Sequence, residues 1–127
     1  MAGKILIVDD EPNIVISLEF LMNQGGYEIE VARDGKQAVE ALDKFQPDLV
    51  LLDVMLPYKD GFEICQMIRE NPKWKHIKIV MLTAKGREMD INKGLALGAD
   101  AYITKPFSTK ELLEKVQEIL NNSSNDA

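Results

Sequence analysis

Lys4-Ile5-Leu6-Ile7-Val8-Asp9-Asp10-Glu11-Pro12 opens the chain with four consecutive apolar residues, closes them with three carboxylates, and then places a proline where a helix would begin. A run that is apolar on successive residues has no polar face, so it suits a strand buried on both sides. Proline at a first helical turn sacrifices no hydrogen bond. The segment therefore reads as a buried strand, an acidic tip and a helix. Leu49-Val50-Leu51-Leu52-Asp53 repeats the pattern, and Ile77-Lys78-Ile79-Val80-Met81-Leu82 leads likewise to Thr83. Glu28-Ile29-Glu30-Val31 alternates and Ala101-Tyr102-Ile103-Thr104 is short and mixed, so both suit the sheet edges.

Between these five runs lie segments with helical spacing. Asp34-Gly35-Lys36-Gln37, Asp60-Gly61-Phe62-Glu63 and Ser108-Thr109-Lys110-Glu111 each set a capping residue three places before Glu or Gln. Gly25-Gly26, Asn71-Pro72 and Gly98 supply stops. A fourth helix is expected over about Gly86 to Leu97, although Gly86 and Gly94 lower its propensity. Five βα units predict a doubly wound α/β fold with a parallel sheet. Residues 122–127 are polar and small, a tail or the start of a linker after a domain ending near residue 121.

Composition narrows the functions. The chain has 127 residues, 46% hydrophobic and 28% charged, enough for one globular domain. No apolar run approaches the roughly 20 residues of a membrane span, and the first residues carry no secretory signal, so a cytoplasmic location without membrane attachment is expected. One cysteine, Cys65, and one histidine, His76, exclude a disulfide and make zinc or haem sites untenable. Cys65 reads as core filler and His76 as a surface loop residue. With 15 Lys and Arg against 21 Asp and Glu, the net charge of −6 argues against direct nucleic-acid contact.

In open α/β sheets ligands bind beyond the carboxyl ends of the strands. There the chain offers Asp9, Asp10 and Glu11, then Asp53, Thr83 and finally Thr104-Lys105-Pro106. Carboxylates gathered this closely repel one another unless a cation lies between them. Oxygen ligands suit Mg2+, with Mn2+ able to substitute. Lys105 and Thr83 would add a charge and a hydrogen bond for a phosphoryl group beside the metal.

Over residues 4 to 121 the chain resembles the receiver domains of two-component response regulators, on the acidic pair, Asp53, Thr83 and Lys105-Pro106. The resemblance implies a flavodoxin-like sheet of order 2-1-3-4-5 with five helices, an order the chemotaxis member of the family is known for. It implies Asp53 as phosphoacceptor, with Asp10, Asp53 and the Met55 carbonyl binding Mg2+ and Asp9 helping through water. Thr83 and Lys105 would contact the phosphoryl group, the Lys105-Pro106 bond would be cis, and Thr83 with Tyr102 would switch the face made by helix four, strand five and helix five. Implied partners are a sensor histidine kinase or histidine phosphotransfer protein and a downstream protein target or fused output domain. Such a domain catalyses its own phosphorylation and slow dephosphorylation without being a conventional enzyme.

Several positions depart from the family. Met55 and Lys85, two places after Asp53 and Thr83, cannot readily orient an attacking water, so self-dephosphorylation should be slow. Met55-Leu56-Pro57 and Lys105-Pro106-Phe107-Ser108 resemble the winged-helix branch, but Ile91 and Ala101 replace its usual Arg and second Asp. Glu111 and Lys115 remain, which leaves homodimerisation on phosphorylation open. Two rival chemistries fit less well. A haloacid-dehalogenase phosphatase needs a second Asp where Met55 stands, and a flavin carrier would have its phosphate repelled by Asp9-Asp10-Glu11. A binding module that keeps the site without using it is the third alternative.

Overall fold

The computed structural model describes residues 3–56, 60–84 and 88–125, with side chains up to residue 121. Ten elements alternate: β1 (Lys4–Val8), α1 (Pro12–Gln24), β2 (Glu28–Ala32), α2 (Gly35–Lys44), β3 (Leu49–Asp53), α3 (Gly61–Glu70), β4 (Lys78–Ala84), α4 (Glu88–Ala96), β5 (Ala101–Lys105) and α5 (Thr109–Asn125). The strands form one sheet of order β2-β1-β3-β4-β5, parallel throughout. The predicted fold class, strand order and edge strands are all observed.

Alternating side chains of the central strands feed two separate cores. Leu6, Val8, Val50, Leu52, Ile79 and Met81 pack with Ala38 and Leu42 of α2 and Phe62, Ile64, Cys65 and Ile68 of α3. On the opposite face Ile5, Ile7, Leu49, Leu51, Val80 and Leu82 meet Leu18 and Met22 of α1 and Leu112 and Val116 of α5. Each large aliphatic side chain fully buried in this way contributes about 1.5–3 kcal/mol from area alone. The crossover connections distribute the helices between the two faces, α2 and α3 on one and α1 and α5 on the other. The chain leaves β1 and β3 in opposite directions, and the crevice between their carboxyl ends is the switch point where such sheets take ligands.

Local chemistry sets the helix starts. Asp34 accepts a hydrogen bond from the Gln37 amide at 2.8 Å, Asp60 from Glu63 at 2.9 Å, and Ser108 from Glu111 at 3.3 Å. The Gln37 side chain reaches back one residue further than the cap, to the Arg33 amide at 2.8 Å. Cys65 is buried in the core and His76 lies exposed between α3 and β4.

Several boundaries differ from expectation. β3 and β4 continue through Asp53 and through Thr83 and Ala84, because the ladder pairs Asp53 with Leu82, Thr83 with Thr104 and Ala84 with Lys105. Backbone pairing, not side-chain hydrophobicity, decides where a strand stops. α5 runs on to Asn125, since Asn122, Ser123 and Ser124 contain no residue that breaks a helix. α4 begins at Glu88, and the expected start at Gly86 lies outside the described residues, as do Pro57 and Lys85.

Candidate functional site

The strand ends bring the expected side chains together. Asp9 follows β1 and is fully buried, its amide donating to Ala32 across the sheet at 3.1 Å. Its Oδ1 accepts from the Glu11 amide at 3.0 Å, which orients the carboxylate. Asp10 is exposed at the rim. Asp53 ends the central strand with 5% exposure, and its Oδ1 accepts from the Met55 amide at 3.2 Å. One oxygen from each of Asp9, Asp10 and Asp53 lies within 4.8 Å of the others.

Lys105, the last residue of β5, reaches across to this group. Its Nζ lies 3.0 Å from Asp9 Oδ2 and 3.3 Å from Asp53 Oδ2. The Lys105-Pro106 bond is cis, as expected. Thr83 is 2% exposed and its Oγ1 has no hydrogen-bond partner among the described residues. A buried hydroxyl without a partner costs stability, which makes Thr83 Oγ1 a hydrogen-bonding group in reserve for a ligand. The site opens through a cavity of about 310 Å³ lined by Asp10, Glu11, Asp53, Thr83, Asp90 and Lys105 among others. A larger hollow of about 430 Å³ between β2 and α2 has Glu30, Glu40, Lys44 and Phe45 on its walls and gathers no comparable buried set.

Backbone packing holds the Asp53 segment in place. The Gly61 amide donates to the Val54 carbonyl at 2.9 Å, and a side chain at Gly61 would collide with the Asp53 carbonyl oxygen. Helix α3 therefore starts hard against the tip of β3, an approach only glycine permits.

Electrostatics follow from burial. Desolvation, reinforced by the Asp9 carboxylate, pushes Asp53 up to about 6 despite the opposing pull of Lys105 and the Met55 amide. Burial alone would lower Lys105, but the Asp53 and Asp9 carboxylates outweigh it and hold the ammonium above its ordinary range. The arrangement is an anionic pair short of one positive charge, which is the condition in which a divalent cation binds. Three carboxylates, one of them exposed to admit the ion, and an all-oxygen donor set fit Mg2+.

A stability profile follows, with its sign set by the raised pKa of Asp53. Between roughly pH 4 and pH 6 the folded state keeps a proton on Asp53 that the unfolded chain, with an ordinary carboxylate near 3.9, has released. Native stability therefore declines as pH rises through this window. Two pH units correspond to about 3 kcal/mol at full strength, and solvent screening at the open rim reduces the expectation to about 1–2 kcal/mol. In chelator, Asp53→Asn should be more stable than wild type at pH 8, the difference vanishing near pH 4. Thermal melts of both proteins across pH measure this, and a difference independent of pH would contradict it.

Of the remaining expected residues, Met55 projects into solvent with 69% exposure, and Tyr102 on β5 faces outward at 43%. Ile91 is half-buried on α4 and Ala101 opens β5, so neither supplies the charge that the winged-helix branch uses there. Glu111 is exposed and Lys115 half-buried on α5. Sequence reasoning missed Asp90, because it looked only at strand ends and Asp90 reaches the cavity from a helix.

Comparison with known proteins agrees with this geometry. The family model described as the response regulator receiver domain matches residues 5–117. The chemotaxis response regulator CheY4 of Vibrio cholerae superposes with a TM-score of 0.87 at 32% identity, covering 94% of this chain and 99% of that one. The receiver domain of a signal transduction histidine kinase from Syntrophus aciditrophicus gives 0.88 at 35% identity, over 95% and 92% of the two chains. That of the sensor histidine kinase PA1611 from Pseudomonas aeruginosa PAO1 gives 0.84 at 30% identity, over 93% and 97%, and is described with a magnesium ion coordinated in its active site cleft. Among the described residues no helix is long and apolar enough to cross a membrane.

Proposed function

The chain belongs to the response regulator receiver domains of two-component signalling, and from that premise we propose that it accepts a phosphoryl group on Asp53 from a histidine kinase or histidine phosphotransfer protein. The single observation that carries the reading is Lys105 Nζ set between the carboxylates of Asp9 and Asp53, beside the unpartnered Thr83 hydroxyl. A carboxylate nucleophile, a fixed cation and a free hydroxyl are the parts that phosphoryl transfer uses.

In the step proposed, Asp53 Oδ attacks phosphorus, an O–P bond forms as the donor's N–P bond breaks, and the imidazole leaves with its proton. Lys105 stabilises charge gathering on the phosphoryl oxygens, and Thr83 donates its hydroxyl hydrogen to one of them. Asp10, Asp53 and the Met55 carbonyl would hold Mg2+, with Asp9 assisting through water, and Mn2+ would substitute. The cation when bound supplies further neutralisation of those oxygens. The acyl phosphate then biases Thr83 and Tyr102, and the face of α4, β5 and α5 changes for a protein target or a fused output domain. We assign this activity to residues 1–121 and regard 122–127, the first four of which prolong α5, as a polar tail or linker. In this reading the domain is a cytoplasmic phosphoacceptor, not an enzyme of the conventional kind, and makes no direct contact with nucleic acid.

The test is intact-mass measurement after incubation with phosphoramidate. One phosphoryl adduct is expected with Mg2+ and none in chelator, and equal modification with and without Mg2+ would overturn the metal's role. The adduct should also be long-lived. The exposed Met55 thioether cannot orient water, so Met55→Asn, which keeps the backbone carbonyl and adds an amide, is expected to shorten the adduct's lifetime by about tenfold. Decay at equal rates in the two proteins would show that residue 55 does not govern hydrolysis.

A further inference from the structure

Methionine sulfur is polarizable and open to oxidation wherever it meets solvent. The described methionines divide sharply by exposure. Met22 and Met81 are buried in the two cores and Met67 is half-buried on α3, whereas Met55 and Met89 stand out at 69% and 85%. Met89 lies on α4. Met55 lines the cavity of about 310 Å³ that holds Asp53, Thr83 and Lys105. Its amide donates to Asp53 Oδ1 at 3.2 Å, so the root of the side chain is tied to Asp53 while the thioether stays in water. Cys65, the chain's one thiol, is a poor competitor for an oxidant. It is buried, and desolvation pushes its pKa up, away from the reactive thiolate.

Oxidation changes what the Met55 side chain can do. A thioether sulfur is a weak acceptor, whereas a sulfoxide carries a polar oxygen. That oxygen lies one bond beyond Sδ, the reach of the amide oxygen of a glutamine. A glutamine side chain is the kind of group that orients the attacking water in phosphoryl hydrolysis. The unbranched chain of methionine rotates easily, so the oxygen can turn over the cavity mouth.

We propose that Met55 is a reversible oxidation site whose sulfoxide shortens the lifetime of the phosphoryl group on Asp53. Hydrogen peroxide is the oxidant. The sulfur lone pair forms an S–O bond to one peroxide oxygen as the O–O bond breaks, and the other oxygen leaves as water with the proton of the first. Sulfur is oxidised to the sulfoxide and the peroxide is reduced to water. A methionine sulfoxide reductase drawing on a thiol returns the thioether. The effect on lifetime rests on the phosphoacceptor reading, and the oxidation site does not.

Peptide mapping by mass after graded peroxide treatment locates the oxidation. Met55 and Met89 are expected to gain oxygen at least about tenfold faster than Met22 and Met81. A Met55 as slow as the core pair would overturn the site. Decay of the adduct formed with Mg2+ and phosphoramidate is then followed in the Met89→Leu protein before and after oxidation. The oxidised protein should lose its phosphoryl group at least about fivefold faster, and reductase treatment should restore the slow rate. Met55→Leu should decay at one rate with and without peroxide. Met55→Gln, which fixes an oxygen at the same reach, should decay about as fast as the oxidised protein and not respond to peroxide. Equal decay before and after oxidation, or a peroxide effect that persists in Met55→Leu, would overturn the link to lifetime and leave the phosphoacceptor reading standing. Absence of any adduct in the unoxidised protein would defeat that reading and the link with it, with the peptide map still deciding the site.

Discussion

Asp53→Asn is expected to abolish the phosphoryl adduct, lowering its yield by about a thousandfold or more at equal Mg2+ and phosphoramidate. An amide has nearly the shape of the carboxylate but lacks the negative oxygen that attacks phosphorus. Neither neighbour is an equivalent replacement. Asp9 is fully buried with its Oδ2 against Lys105, and Asp10 is exposed at the rim without Lys105 beside it to steady an incoming phosphoryl group. The fold should survive, because the substitution removes one of two buried carboxylates that share the Lys105 ammonium instead of creating a new buried charge. Intact mass with peptide mapping reads the result, and thermal melting checks that the variant is folded. An adduct of wild-type yield in the variant would move the phosphoacceptor to another residue.

Lys105→Ala is expected to act on both stability and chemistry. Among the described residues the ammonium is the cation within reach of two carboxylates that are 0% and 7% exposed in their side chains. Without it, Asp9 and Asp53 repel one another across a desolvated gap. Truncating one member of a buried charged group costs about 3 kcal/mol at neutral pH, which for a domain of this size lowers the melting midpoint by roughly 10 °C. Saturating Mg2+ should restore most of that loss. Acidification below pH 6 should do so as well, because the already raised pKa of Asp53 rises further and the residue takes up a proton. The phosphorylation rate, in contrast, should remain about a hundredfold or more below wild type even with Mg2+, since the fixed charge facing the phosphoryl oxygens is gone. Thermal melts with chelator and with Mg2+, together with initial rates of adduct formation, separate the two effects. A variant as stable as wild type in chelator would show that the carboxylates do not depend on the lysine.

The signs that were readable along the chain are those whose physics is local. Unbroken apolar runs mark buried strands because a strand covered on both faces has no polar side, and the three capping boxes mark helix starts because their hydrogen bonds close within four residues. The strand-end rule brings Asp9, Asp10, Asp53, Thr83 and Lys105 to one rim from the sequence alone, since in a parallel α/β sheet every strand points the same way. What stayed hidden depends on contacts between residues far apart in sequence. That Asp9 is fully buried while Asp10 is exposed is decided by neighbouring strands and not by the Asp-Asp pair itself. The tip of Asp53 sits against Gly61 because α3 starts on top of β3, although Asp60-Gly61 reads locally as nothing more than a helix cap. Asp90 reaches the site cavity from a helix, where no strand-end rule would look for it. Arg69 joins Lys75, Ile77, Gly98 and Asp100 across up to 31 residues of chain, and its partners are mostly backbone carbonyls. Every residue has a carbonyl, so no pattern of side chains could have announced that clamp; only the packing of α3 beside the α4–β5 link selects which carbonyls the guanidinium meets.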